Sequence, residues 1–146
     1  MGSRDEGKFS APWLLRRVNQ HYRAAIASAL QAAGFDDLPQ PGYWALMALD
    51  GGVREAGQLV SRMGISKQAV SKLIDSLVGA HYVERGAVPA DRRKVELVVT
   101  GRGMKAIAII EAAAQETEDA FAEAIGPEAF THLIALLERL AETREA

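Results

Sequence analysis

The side chains with the most to offer a partner are hydrogen-bond donors and cations in two clusters. Lys67, Gln68, Ser71 and Lys72 recur at a spacing that puts them along one side of a helix. Further on, Arg92, Arg93 and Lys94 stand in a row behind Asp91. Ammonium and guanidinium groups neutralise phosphates, and a glutamine amide matches the donor and acceptor edge of adenine. Gln68 therefore suits a base, and Lys72 a guanine or a phosphate. Ser66, Lys67 and Ser71 suit the phosphate backbone that fixes register. Catalytic alternatives do not assemble: there is no Gly-x-Ser-x-Gly elbow and no phosphate-binding glycine loop. His21, His81 and His132 are far apart and lack the i, i+4 partners of a helical zinc site. No enzyme activity, metal or cofactor is expected.

Short helices and a hairpin must position these groups. Ala56, Leu59, Val60 and Met63 share one apolar helical face, which Gly64 stops. Ser66 can cap a second helix, in which Val70, Leu73, Ile74 and Leu77 face inward while Gln68, Ser71, Lys72 and Asp75 face outward. Tyr82-Val83-Glu84-Arg85 and Val95-Glu96-Leu97-Val98-Val99 read as strands, joined by a segment with Gly86, Pro89 and the basic run. That pattern predicts a β-hairpin with a charged tip, a wing. Asp91, two residues from Arg93, is placed to orient its guanidinium by a bidentate pair.

A polar helix face and a basic run are, taken singly, as consistent with a solvated surface as with a binding site. Charge distribution separates the two. The formal net charge is only −2, yet residues 54–105 hold ten basic and five acidic side chains, a net of +5. Residues 106–146 hold two basic and nine acidic ones, a net of −7, and residues 1–53 are balanced at five of each. A basic middle concentrates the field where phosphates would dock.

Helices flank this middle segment. Trp13, Leu14, Val18, Tyr22, Ile26 and Leu30 recur at helical spacing from Phe9 to about Ala33, where Gly34 ends the run. A loop with Pro39 and Pro41 leads to a short aromatic helix from Tyr43 to Asp50. Gly101-Arg102-Gly103 opens a long helix with a seam of Met104, Ile107, Ala108, Ile110, Ala114, Phe121 and Ala122. Gly126-Pro127 breaks it, and Phe130, Leu133, Ile134, Leu136, Leu137 and Leu140 stripe a last helix. These outer helices carry more apolar surface than a small winged unit needs.

Over nearly its whole length the chain resembles the MarR family of bacterial transcription regulators. The matching pieces are Gln58-Leu59-Val60, Gly64-Ile65-Ser66, the run Val70 to Leu77, Val83-Glu84-Arg85, Asp91-Arg92-Arg93 and Leu97-Val98-Val99-Thr100-Gly101-Arg102-Gly103. His81 departs from the pattern, since the family usually has a glycine where the recognition helix ends. The resemblance implies a mainly α winged helix-turn-helix fold, with a DNA-binding lobe over 43–100 and dimerisation helices at 9–33 and 103–144. It makes Arg93 the wing-tip arginine that enters the minor groove, with Arg92 and Lys94 on phosphates. It implies a homodimer whose interface includes Trp13, Leu14, Phe130, Leu133, Leu137 and Leu140, reading a pseudo-palindrome with recognition helices roughly 34 Å apart. It also implies a crevice for a small aromatic or lipophilic effector, for which Trp13, Arg16, Arg17, His21, Tyr22, Tyr43, Trp44 and Met47 lie on the right helices. Those eight residues fit an ordinary helix–helix core equally well.

At 146 residues with 49% hydrophobic content the chain can fold as one domain around its own core. It has no cysteine, so it has no disulfide framework or thiolate metal site. No apolar run approaches the roughly 18 residues of a membrane span, and the polar start lacks a signal peptide's apolar core. Cytoplasmic residence and double-stranded DNA as partner are the expectation. The competing reading is a winged-helix dimer that binds proteins and has no DNA target.

Overall fold

A computed structural model describes residues 11–143. In chain order they form α1 (Ala11–Ala32), α2 (Gln40–Asp50), α3 (Ala56–Met63), α4 (Lys67–Gly79), β1 (Val83–Val88), β2 (Asp91–Val99), α5 (Gly101–Ile125) and α6 (Pro127–Glu142). The expected start of the first helix at Phe9 lies outside the described residues, as do the last three of the chain. Two compact units result. One runs from Ile26 to Glu111; the other joins the residues up to Ala25 with those from Ala112 onward. Among the described residues no single helix is long and apolar enough to cross a membrane.

The first unit is the winged helix-turn-helix, and its elements end where local chemistry says they must. Gly64 takes a left-handed conformation (φ +64°) and closes α3. Two residues on, Ser66 Oγ accepts a hydrogen bond from the Ala69 N–H at 3.1 Å and opens α4. All four inward residues of α4, Val70, Leu73, Ile74 and Leu77, are buried. They pack in a core with Leu46, Leu49, Leu59, Tyr82, Val83 and Leu97. Of the α3 stripe only Leu59 is fully buried, while Val60 and Met63 are partly covered and Ala56 is exposed.

Several element boundaries differ from the sequence expectation, β1 among them, which begins at Val83 and not Tyr82. α2 begins at Gln40, not Tyr43, with Pro39 as its N-cap and Pro41 in the first turn. A proline there loses nothing, because the first N–H groups of a helix have no internal acceptor. The strands run further toward the tip, reaching Val88 and beginning at Asp91. Backbone pairing continues where side-chain alternation has stopped, until Pro89-Ala90 turns the chain. Pairing runs in register from Val83↔Val99 to Ala87↔Val95, then jumps to Val88↔Asp91. Arg92, Arg93 and Lys94 therefore fall in an irregularity of β2, between paired positions.

α4 ends on His81, which holds φ +63°. Its N–H reaches the Val78 carbonyl at 3.0 Å, and the Tyr82 N–H reaches that of Leu77 at 2.9 Å. This is the paired capping pattern that usually has glycine at its left-handed residue. Histidine fills it here, and the helix closes in this pattern without a glycine.

In the second unit, Phe121 of α5 receives the rings of His21 and Tyr22 edge-on, at 5.7 and 5.4 Å between centroids. Gly126 (φ +95°) separates α5 from α6, and Pro127 starts α6. Little of this unit's apolar surface is covered. α6 has no buried residue. Trp13 is 51%, Leu14 57% and Leu140 68% exposed, with Leu133 and Leu136 at 38%.

Candidate nucleic-acid interface

The outer side of α4 carries the expected donors in the open. Ser66, Lys67, Gln68, Ser71 and Lys72 are all exposed. Ser66 spends an oxygen lone pair on its cap but keeps its O–H free to donate. Lys67 and Ser71 border a concave cavity of about 450 Å³ between α3, α4 and the hairpin. Its walls are mostly apolar, from Val60, Val70, Ile74, Val95 and Leu97, with Arg85 at the edge. Helix and wing therefore frame a single recessed surface.

The wing tip corrects one expectation. Asp91 does not hold the Arg93 guanidinium: its Oδ1 accepts from the Arg93 backbone N–H at 2.9 Å. An Asp side chain reaches the N–H two residues on without ordering any long side chain, so the local turn wins over the ion pair. Among the described residues neither Arg92 nor Arg93 makes an ion pair, and both are exposed. Lys94 is different, with its Nζ 3.8 Å from Glu55 Oε1.

The base of the wing is tied to the helices by contacts that residue spacing alone does not announce. The Leu97 N–H bonds the Arg54 carbonyl at 2.8 Å, and Arg54 Nε lies 3.4 Å from Glu96. Arg54 also donates to the carbonyls of Leu49 at 2.8 Å and Val53 at 3.0 Å. Asp75, on the outer side of α4, pairs with Arg85 of β1. Exposed pairs of this kind contribute only about 0–1 kcal/mol each, so their effect is to set the wing's orientation. The usable signal in the sequence was alternating charge across 54–96, which has no fixed spacing.

The residues proposed for an effector crevice fall in both units. In the winged unit, Tyr43 is buried, Trp44 is 58% exposed and Met47 is partly covered. In the other unit, Trp13, Arg16, Arg17 and His21 are exposed and Tyr22 is partly covered. Burial, with the Glu118 charge adding to it, raises the Tyr22 hydroxyl above its ordinary pKa. No group of three or more potential metal ligands occurs among the described residues.

Comparison with known proteins bears on this geometry. A family model described as "MarR family" matches residues 36–94, from the loop before α2 through the basic run of the wing. No curated protein matches the sequence. Solved structures of the same fold are numerous. CouR, described as a transcriptional repressor bound to a 23-mer DNA duplex, superposes with a TM-score of 0.75 at 22% identity, over 96% of this chain and 99% of CouR. BpsR of Bordetella bronchiseptica, whose DNA binding is described as regulated by 6-hydroxynicotinic acid, gives 0.73 at 20% identity, over 97% and 99%. RV1404 of Mycobacterium tuberculosis gives 0.73 at 19% identity, over 100% and 97%. At these identities the structures establish the shared fold. The family model's match covers residues 36–94, and over that segment the chain is similar to the MarR family.

Proposed function

We propose that this protein is a sequence-specific DNA-binding transcription regulator that binds a pseudo-palindromic operator as a homodimer and represses by occupying it. The carrying observation is the exposed donor face of α4 beside the bulged, unpaired Arg92 and Arg93. In this reading α4 enters the major groove. Gln68 and Lys72 face base edges, while Ser66, Lys67 and Ser71 hold phosphates. Arg93 reaches into the minor groove, favouring narrow A·T-rich stretches, with Arg92 and Lys94 on the flanking phosphates. Asp91 serves the tip by fixing the Arg93 backbone. The likeness to BpsR supports extending the proposal to release by a small aromatic effector.

Selection of bound fragments from the source genome at several salt concentrations tests the reading. A regulator enriches a few sites with a shared inverted repeat and loses affinity steeply with salt. A protein-interaction module enriches none. On the selected operator, Gln68→Ala is expected to relax preference at one base position per half-site. Lys67→Ala is expected to weaken all sequences alike and flatten the salt slope by roughly one unit. Equal shifts in specificity for both variants would show the base and phosphate roles to be misassigned.

A further inference from the structure

Two helix ends meet at one guanidinium. α1 and α4 both finish in the same capping pattern, with Gly34 (φ +83°) and His81 (φ +63°) as the left-handed residues. In each, the next residue bonds back to the helix, Phe35 N–H to the Leu30 carbonyl at 2.8 Å and Tyr82 N–H to the Leu77 carbonyl at 2.9 Å. Those two residues are aromatic, and their rings lie 6.2 Å apart. Arg102, in the first turn of α5, sits over both, 5.0 Å from the Phe35 ring and 4.7 Å from the Tyr82 ring.

The hydrogen bonds of Arg102 complete the joint. Its Nε donates to the Ala80 carbonyl at 3.2 Å, at the negative end of the α4 dipole. One terminal nitrogen donates to both Asp37 oxygens, at 2.9 and 3.1 Å, and lies 3.2 Å from the Tyr82 hydroxyl. The Tyr82 hydroxyl in turn donates to Asp37. That bond, followed by the Arg102 charge, holds the Asp37 carboxyl below the usual carboxylate range. Burial, then Asp37, pushes the Tyr82 hydroxyl up to about 12. All of these groups lie within the winged unit, and none projects from the outer side of α4.

We propose that Arg102 and Asp37 are positioning residues for DNA recognition: they lock the C-terminal end of the recognition helix to the loop ahead of α2 and so set the angle at which α4 is presented. The proposal rests on the DNA-binding reading above. A lone cap leaves a helix free to pivot about its end. A guanidinium that bonds the last turn, stacks on the next side chain and is itself held by a carboxylate removes that freedom.

Asp37→Asn separates this from electrostatics by the sign of the effect. Removing a carboxylate from a DNA-binding chain favours DNA if charge alone matters. Positioning predicts the opposite, operator binding about tenfold weaker through loss of a charge-assisted hydrogen bond. Affinity for unrelated DNA and the salt slope are expected to stay unchanged. In the free protein, amide hydrogen exchange at Ala80–Tyr82 is expected to accelerate well below the melting temperature. Operator affinity that is unchanged or tighter overturns the proposal, as does a loss shared equally by unrelated DNA. Should the unaltered protein select no DNA sequence, the regulator reading fails separately. Exchange alone then decides whether the lock exists, and unchanged protection at Ala80–Tyr82 in Asp37→Asn sinks it.

Discussion

Replacing both Leu133 and Leu137 with glutamate is expected to yield a monomer that holds the operator roughly 10²–10⁴-fold more weakly than the unaltered protein. The expectation follows from apolar surface left without a partner. α6 buries none of its side chains, yet it presents Leu133, Leu136 and Leu140, and Trp13 and Leu14 are open on α1. Monomers rarely leave large apolar patches uncovered, and a second copy is the partner in the homodimer proposed above. Two carboxylates buried in such an interface would each cost several kcal/mol without a cation to pair. One winged unit covers only about 600–1,000 Å² of DNA, and tight binding needs the second unit's contacts made effectively intramolecular. The core of the winged lobe, around Leu46, Leu59, Val70 and Leu77, lies within 26–111, so the lobe is expected to stay folded. Sedimentation velocity reports the assembly and a shift assay the affinity. A monomer that still holds the full operator with undiminished affinity would end the dimer argument.

Sequence legibility followed the range of the interactions. Gly64 and Ser66 act on neighbours one to four residues away, so residue type alone placed the turn between α3 and α4. The α4 stripe was equally readable, because helical periodicity and burial coincide at Val70, Leu73, Ile74 and Leu77. His81 stood out in the sequence only as a departure from the resemblance, and the structure shows it holding the left-handed position itself, at φ +63°. The Asp91 error was one of competition. Two acceptable partners lay within reach, and spacing cannot rank a backbone N–H against a guanidinium. The lock around Arg102 was out of reach altogether. Asp37 is 45 residues from Tyr82 and 65 from Arg102, and no local pattern requires that they meet. Even the function of Thr100 shows only in the fold. Its hydroxyl donates to the His81 carbonyl at 2.6 Å and accepts from the Gly103 N–H at 3.1 Å, capping α5 against the end of α4.

Gly103 makes that contact severe enough to predict a large loss of stability. A Cβ built on it would stand 2.3 Å from the Tyr82 carbonyl oxygen and 2.6 Å from Val99 Cγ1. The oxygen cannot retreat freely, since it accepts the Thr100 N–H at 3.0 Å and belongs to the residue just before β1. Gly103→Ala must therefore push α5 away from the β1 entry, or break the Thr100 bridge, or both. Overpacking of this kind costs about 1–3 kcal/mol, and a backbone obstacle argues for the upper part of that range. The melting temperature is expected to fall by roughly 5–10 °C. Gly101, two residues earlier in the same helical turn, has nothing within 4 Å of its would-be Cβ. Gly101→Ala should be neutral or raise stability by up to about 1 kcal/mol, because alanine restricts the unfolded chain. Thermal unfolding of the two variants side by side makes the comparison internal to one helix. If Gly103→Ala melts within about a degree of Gly101→Ala, the close approach of α5 to Tyr82 does not limit stability.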